Sequence, residues 1–424
     1  MKEKIIKKVK NNVFLYKIGV KFICISANLK KGKKWYGKII RFVIGVRDVD
    51  LINMSVRQYL LENGIAFNQE ESEQEREVFL PVNYPVYMKE RIENCATKSV
   101  YLAKLQNVIV IGENSFFIIE KYCLNDKYEL QYKNEFNFQT GNCLSYSDTS
   151  CKIIVNKTHT FIKQGISLIG EGANNYYHWF FDLMSKIVYI NNHPELKNIP
   201  LLVDETVKNH ETCLKLLQIM DDYSHKIIFL KRNKSYLIGE CFYISPNTWS
   251  NVYVDSSIQS MSITRHAKSK CVIEAYRERM ERHLSNCLSR DNGVGGRLFV
   301  TRGKNYSQRL IDESVFAEIA SHYGFESYDP MKYTIEEQAI HFKNAEFIIA
   351  VEGAALVNLI WCKKDTKVIC INPAIRNDYL YSTLSYLVGV KCVYLDAQIV
   401  ENNRYSLKIE DFRNCLSKMI NNEM

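Results

Sequence analysis

At 424 residues the chain exceeds one ordinary core, so two or three domains are expected. A composition of 46% hydrophobic, 12% aromatic and 24% charged residues excludes a disordered or fibrous protein. The formal net charge of +9 is gathered at one end, which argues against a uniformly basic surface.

Residues 1–51 form a basic arm: from Met1 to Arg47 the only acid is Glu3, against lysines that include Lys7, Lys8, Lys10, Lys30, Lys31, Lys33 and Lys34. Two apolar clusters, Val13 to Tyr16 and Phe22 to Ile25, are broken by Lys17 and Lys21. Residues 1–47 therefore suit a helix lying on an anionic membrane surface, and equally a solvated basic helix that contacts the body of the protein. No run reaches the roughly 18 apolar residues of a membrane span, and no small-residue cleavage site follows the start. A cytoplasmic protein is expected, peripheral on the inner face of the plasma membrane under the first reading. The arm lacks a helix-turn-helix or RNA-reading pattern, so no nucleic-acid partner is expected. The thirteen cysteines are odd in number and include no Cys-x-x-Cys pair, which fits buried thiols in a reducing compartment.

Residues 52–165 read as strand-rich. Val100 to Ala103, Val108 to Ile111 and Phe116 to Ile119 are apolar runs, the last two joined by Gly112-Glu113-Asn114-Ser115, the turn chemistry of a hairpin. Residues 166–290 change to longer units: a helix over 174–192, a strand at 200–203, a helix near 208–220, a strand at 226–230 and a charged connector helix near 264–289. Residues 291–424 open on the loop Asp291 to Gly296 and alternate most clearly. The pattern predicts a strand at 297–301, a helix over 309–323 with Val315, Phe316, Ile319 and Tyr323 on one face, and a strand at 325–328. A capping box, Thr334-Ile335-Glu336-Glu337, opens the next helix. A strand at 347–351, a short helix from Ala354, a strand at 368–371 and a helix over 378–388 follow. Alternating strands and helices imply an α/β fold with parallel sheets, the last region being a Rossmann-like doubly wound unit.

In such a sheet ligands sit beyond the carboxyl ends of strands. Gly353 with Ala354 and Ala355 lets a turn approach a ligand and opens a helix whose amides favour phosphate, although small residues there also serve tight packing. Arg302 lies just off a strand end, and Arg309 at a helix start, where a cation calls for an anion; the two could grip one diphosphate, or Arg309 could pair with Glu313. Asn358 could bond a nucleotide or cap a loop. On the earlier segment His178 and Asp182 stand four apart on one helix face, so either could act as a base, or the pair could be a structural hydrogen bond. Asn174, Asn175, Tyr176, Tyr177 and Trp179 around them are the amides and aromatic faces that hold hydroxylated ligands. Asp48-Val49-Asp50 has the form of an Asp-x-Asp metal site but follows the arm instead of a Rossmann strand, and is read as chance. The chain has no Walker loop, Gly-x-Gly-x-x-Gly, His-Glu-x-x-His or Gly-x-Ser-x-Gly.

Four places in order resemble glycosyltransferase family sixty-one: Leu105 to Gly112; Asn175 to Asp182, similar to its aromatic-His-Trp-x-x-Asp motif; Phe299 to Arg302 with Arg309 and Asp312-Glu313; and Glu337-Gln338 with Gly353 to Asn358. Glu352 and Ala355 stand where many members have His and Gly, and Asp312 where Asn is common. The resemblance implies a GT-B-like α/β architecture of two facing Rossmann-like domains, following the basic arm and the strand-rich region. It implies inverting transfer from a nucleotide-sugar donor to a glycan or lipid-linked glycan acceptor in bacterial surface polysaccharide synthesis, with no metal and no cofactor. Under it His178 and Asp182 are catalytic. Arg302, Arg309, Glu313, Glu352, Gly353, Ala354 and Asn358 bind donor, and Asn174, Asn175, Tyr177 and Trp179 bind acceptor. The competing class is a catalytically silent assembly protein that keeps the fold and binds polysaccharide or a partner enzyme.

Overall fold

The computed structural model describes residues 45–85, 89–130, 137–138, 141–248, 262–286, 294–302, 309–373, 378–400 and 404–423. The basic arm as far as residue 44, and with it the expected membrane contact, lies outside the described residues, as does most of the loop opening the last region.

Two large sheets organise the chain. The first has eleven strands. Four are mutually parallel, in spatial order Ile227–Leu230, Leu201–Asp204, Thr160–Leu168 and Ser235–Ile244. The last of these pairs antiparallel with the long strand Val100–Ile111, which turns through the expected hairpin into Phe117–Ile119. Residues from 46 to 168 and from 201 to 244 thus share one sheet. It curls until Gly112, past the end of Val100–Ile111, bridges Arg232 beyond the parallel edge. Its concave face closes over an apolar core that includes Val108, Val110, Leu202, Leu230 and Ile238.

The second sheet is parallel throughout, in spatial order Glu326–Tyr328, Gly296–Val300, Ala345–Val351, Lys367–Asn372 and Lys391–Asp396. Numbered along the chain, its order is 2-1-3-4-5. Ile348, Ile349, Val368, Ile369 and Ile371 are all fully covered, as continuous apolar strands with helices on both faces must be. A short piece of the strand-rich region, Asn83–Tyr84, adds itself to the edge at Lys391–Asp396. Beside it Phe79 stacks on Tyr386, and the Ser382 hydroxyl donates to the Phe79 carbonyl at 2.7 Å.

Between the sheets lies a layer of helices with one continuous core. Helical residues 176–190 and Lys270–Asn286 pack there against Ile335–Asn344, Ala354–Trp361 and Leu380–Leu387. Phe180 stands edge-on to Tyr276 at 4.8 Å and to Trp361 at 6.2 Å, so one ring joins helices of the last two regions. The capping box at Thr334 is formed: Thr334 Oγ1 accepts from the Glu337 amide at 3.2 Å, and Glu337 Oε2 from the Thr334 amide at 2.8 Å.

Several elements depart from the sequence reading. The helix expected over 309–323 runs only Glu313–Ser321, because Asp312 takes a left-handed backbone (φ 53°) and the residues before it are extended. Leu310 bridges Tyr405, and the Arg309 carbonyl accepts the Tyr405 amide at 2.6 Å. On that helix Phe316 and Ile319 are buried, while Val315 and Tyr323 are exposed, so the four do not share one face. The segment from Ala354 is a 3-10 helix. The tail strands and the helix Ile409–Ile420 complete the second sheet's outer core and had no counterpart in the reading. None of the described cysteines forms a disulfide, and all but Cys271 are buried.

One buried carboxylate fixes the approach to the strand ends. Asp204, fully covered, accepts the Gly170 amide at 2.9 Å and the Glu113 amide at 2.6 Å, tying the hairpin turn to the loop after Thr160–Leu168. Burial pushes its carboxyl up to about 7, the two amides pulling the other way. Because the folded value lies above the ordinary one, the folded state holds the extra proton between about pH 4 and 7, and stability falls as pH rises through that window. Urea unfolding at pH 5 and pH 7.5 should show wild type losing roughly 2–3 kcal/mol more over this interval than Asp204→Asn, which cannot titrate. Equal pH dependence of the two proteins would show that Asp204 carries no such strain.

Candidate functional site

Both parallel groups reverse their strand order, and a reversal leaves a crevice at the carboxyl ends of the two strands that flank it. In the first sheet these are Thr160–Leu168 and Ser235–Ile244. The chain leaving the former reaches His178 and Asp182, and the chain leaving the latter reaches Thr248. In the second sheet the flanking strands are Gly296–Val300 and Ala345–Val351. The one leads into Arg302, the other into Glu352 and Gly353.

His178 and Asp182 meet because the local helix is not a plain α-helix. Asn175 caps its start, accepting the Tyr177 amide at 2.9 Å, and after His178 the backbone widens into a π-turn over Trp179–Leu183. Side chains occupy the carbonyls of this irregular stretch: the Tyr276 hydroxyl donates to the Phe180 carbonyl, and those of Ser185 and Thr248 to the Phe181 carbonyl. His178 Nδ1 lies 2.7 Å from Asp182 Oδ2. Asp182 Oδ1 accepts the Thr248 hydroxyl at 2.6 Å, so each carboxylate oxygen has a partner.

Two buried lysines flank this pair. Lys268 donates to the His266 carbonyl at 3.1 Å, and its ammonium stands 5.4 Å from the ring centres of both Tyr177 and Phe181. Lys186 lies 5.6 Å from the Tyr243 ring. Burial lowers both ammonium groups to about 8, and for each the strongest force restoring the charge comes from Asp182. Beyond Lys268, Arg265 Nη2 stands 3.8 Å from Asp378 Oδ2, and His266 Nδ1 3.5 Å from Asp378 Oδ1. Burial, with Glu352 as the nearby like charge, pushes the Asp378 carboxyl up to about 6.

Aromatic rings join the two crevices. Tyr177 sits edge-on to Tyr381 at 5.9 Å, and Tyr381 is influenced by Glu352, Asp378 and Arg309. Arg309 Nη1 donates to the Glu352 carbonyl at 2.9 Å and lies 3.4 Å from Glu352 Oε1. The Tyr405 hydroxyl donates to Glu352 Oε2 at 2.9 Å. Burial lowers the affinity of Arg309 for its proton, but Glu352 and the neighbouring tyrosines outweigh it. Arg302 moves the opposite way: burial and the charge of Arg309 both depress it, and among the described residues no carboxylate pairs with its guanidinium. A Cβ on Gly353 would stand 3.8 Å from Arg302 Nη2, so the guanidinium lies over that turn. Two neighbouring guanidinium groups, of which only Arg309 is paired with a carboxylate, have the charge of an anion site.

The remaining residues fall into other surroundings. Glu313 is buried at the first turn of its helix and receives the Arg302 amide, shaping the strand exit; Arg309 pairs with Glu352 and not with Glu313. Asn358 is buried, donating to Gln338 Oε1 at 2.8 Å and accepting from the Trp361 indole at 3.2 Å, which makes it a packing bond between helices. Trp179 has no exposed surface, and its indole donates to the Cys213 carbonyl at 3.4 Å. Asn174 and Asn175 are exposed, Ala354 is half-buried, and Tyr177 is buried with its hydroxyl unpartnered. Asp50 faces Lys152 at 3.1 Å on a strand remote in sequence from both crevices. Among the described residues no group of three metal-binding side chains forms, and no helix is long and apolar enough to cross a membrane.

Sequence reasoning missed Thr248, Lys186, Lys268, Tyr381 and Tyr405. Thr248 follows Ser235–Ile244, a strand left unread, and Tyr405 belongs to the unread tail. Lys186 lies one turn past Asp182 on the same helical stretch, the one local signal that could have found it.

No curated protein matches the chain. Residues 176–369 match the family model described as Glycosyltransferase 61. That segment carries His178, Asp182, Arg302, Arg309 and the turn from Glu352 to Asn358, so the resemblance read from the motifs is borne out over it.

Proposed function

We propose that the protein is an inverting glycosyltransferase that moves a sugar from a nucleoside-diphosphate donor to a glycan hydroxyl. The observation that carries this reading is the pairing of two crevices, one holding a His–Asp pair and the other two arginines above a glycine turn, joined through Tyr177 and Tyr381. The acceptor lies on the side of His178, with Asn174 and Asn175 at its mouth; the donor lies on the side of Arg302 and Arg309.

In the reaction the acceptor hydroxyl loses its proton to a base as its oxygen bonds to the anomeric carbon. The bond from that carbon to the diphosphate breaks on the opposite face, its electron pair staying on the bridging oxygen. His178 suits the base, and Asp182 its orienting partner: Nδ1 is turned to Asp182 Oδ2, directing Nε2 toward the reaction, while Asp182 itself is bonded to Thr248. Arg302, Arg309 and the amides following Gly353 meet the growing negative charge of the leaving diphosphate, and on this reading they do so in place of a metal ion. Trp179, Glu313 and Asn358 act in this scheme by packing and by shaping the turn, and Glu352 by holding Arg309.

A panel of UDP-, GDP-, ADP- and dTDP-sugars, assayed for diphosphate release with and without glycan acceptors, tests the assignment. His178→Ala should lower turnover about 100-fold or more while leaving nucleotide binding intact. Normal turnover by that folded variant removes His178 from the reaction. Arg302→Ala should weaken nucleoside diphosphate binding about tenfold or more by calorimetry. A wild-type protein that binds none of the four diphosphates and releases none favours the silent assembly role.

A further inference from the structure

The aromatic ring that joins the crevices carries a polar group with no assigned task. Tyr381 stands in the first turn of the helix Leu380–Leu387, beyond the segment matched by the family model. Its side chain is only 4% exposed, and no hydrogen bond among the described residues uses its hydroxyl. Glu352, Asp378 and Arg309 all act on that hydroxyl, and Tyr381 in turn acts on both Arg302 and Arg309, so it belongs to the arginine cluster.

The neighbouring carboxylates face other groups, and neither accepts this O–H. Glu352 Oε2 takes the Tyr405 hydroxyl at 2.9 Å, and Oε1 faces Arg309 at 3.4 Å. Asp378 Oδ1 takes the Leu380 amide at 3.1 Å, and Oδ2 faces Arg265 at 3.8 Å. Burial and the two carboxylates push the phenol well above its ordinary range, so it remains an O–H donor at any physiological pH. Its oxygen is not sealed off, unlike that of Tyr177, so a ligand can supply the acceptor that the protein does not. Beside Arg302, whose guanidinium pairs with no carboxylate among the described residues, the acceptor of matching charge is a phosphate oxygen.

We propose that the Tyr381 hydroxyl is a third protein ligand of the donor's diphosphate, acting with Arg302 and Arg309. The proposal rests on the glycosyltransferase reading above. It also gives the ring a positional role, because the group that holds diphosphate is then in edge contact with Tyr177, the neighbour of His178, and donor occupancy is felt at the acceptor wall.

Calorimetry on the full chain with UDP, GDP, ADP, dTDP and inorganic pyrophosphate provides the test. Tyr381→Phe keeps the ring against Tyr177 and should weaken the diphosphate that wild type binds, and pyrophosphate with it, about tenfold or more. Unchanged affinity in the folded variant overturns the role of Tyr381 and leaves the transferase reading standing. Wild-type protein that binds none of the probes overturns both. Weaker binding of a nucleotide sugar with undiminished binding of diphosphate places the hydroxyl on the sugar and overturns the proposal as well. Should Tyr381→Phe fail to fold, 3-fluorotyrosine at position 381 gives a second reading: its fluorine resonance should move when pyrophosphate is added, and a static resonance counts against the contact.

Discussion

Everything in this molecule that concerns chemistry depends on one buried helical stretch, residues 176–190, wedged between two sheets. Trp179, Phe180, Met184, Ile187 and Ile190 have no exposed surface, and burying each such side chain contributes roughly 1.5–3 kcal/mol. Phe180 reaches Tyr276 and Trp361, so the stretch cannot shift without disturbing helices that belong to both halves. That packing holds the His178 wall at a fixed distance from the Arg302 wall. A π-turn in the middle is tolerated because Tyr276, Ser185 and Thr248 satisfy the backbone carbonyls there, and the same Thr248 hydroxyl bonds Asp182. The groups that permit the irregular backbone thus also orient the acidic partner of the histidine.

How much of this was legible in the sequence follows from the range of the interactions involved. Four of the second sheet's six strands were read, since strands buried on both faces are short unbroken apolar runs and its helices carry local caps such as Thr334, while Lys391–Asp396 and Asn83–Tyr84 were not. The first sheet was read less well. Its curl, and the union of residues from 46 to 168 with those from 201 to 244, come from pairings between segments over a hundred residues apart, as between Val100–Ile111 and Ser235–Ile244. The helix proposed to begin at Arg309 failed for a related reason: Tyr405, far along the chain, holds Arg309 and Leu310 extended before the helix can start.

The candidate residues divide along the same line. His178 with Asp182 is a contact across one helical turn and could be found from spacing alone, as could the Gly353 turn. Whether an aromatic or amide side chain faces a crevice or a core has no local signature. Trp179 and Asn358 look like ligand contacts in a linear reading, yet both spend their polar atoms on neighbouring helices. Lys268 and Tyr405, which shape the electrostatics of the two walls, owe their place entirely to tertiary contacts.

Charge balance ties these observations to binding. Lys268, Arg265, Arg302 and Arg309 crowd a largely buried region in which Asp182, Asp378, Glu352 and Glu313 are the facing carboxylates, and burial holds the Asp378 carboxyl at about 6. In so weakly hydrated a setting excess positive charge is costly to the empty protein, as the depressed Arg302 and Lys268 attest. A bound dianion of the kind proposed above would convert that cost into attraction and, by binding the folded chain, would stabilise it by mass action. A largely buried phenol can stand beside these carboxylates without donating to them, because Glu352 faces Arg309 and Tyr405, and Asp378 faces Arg265 and the Leu380 amide.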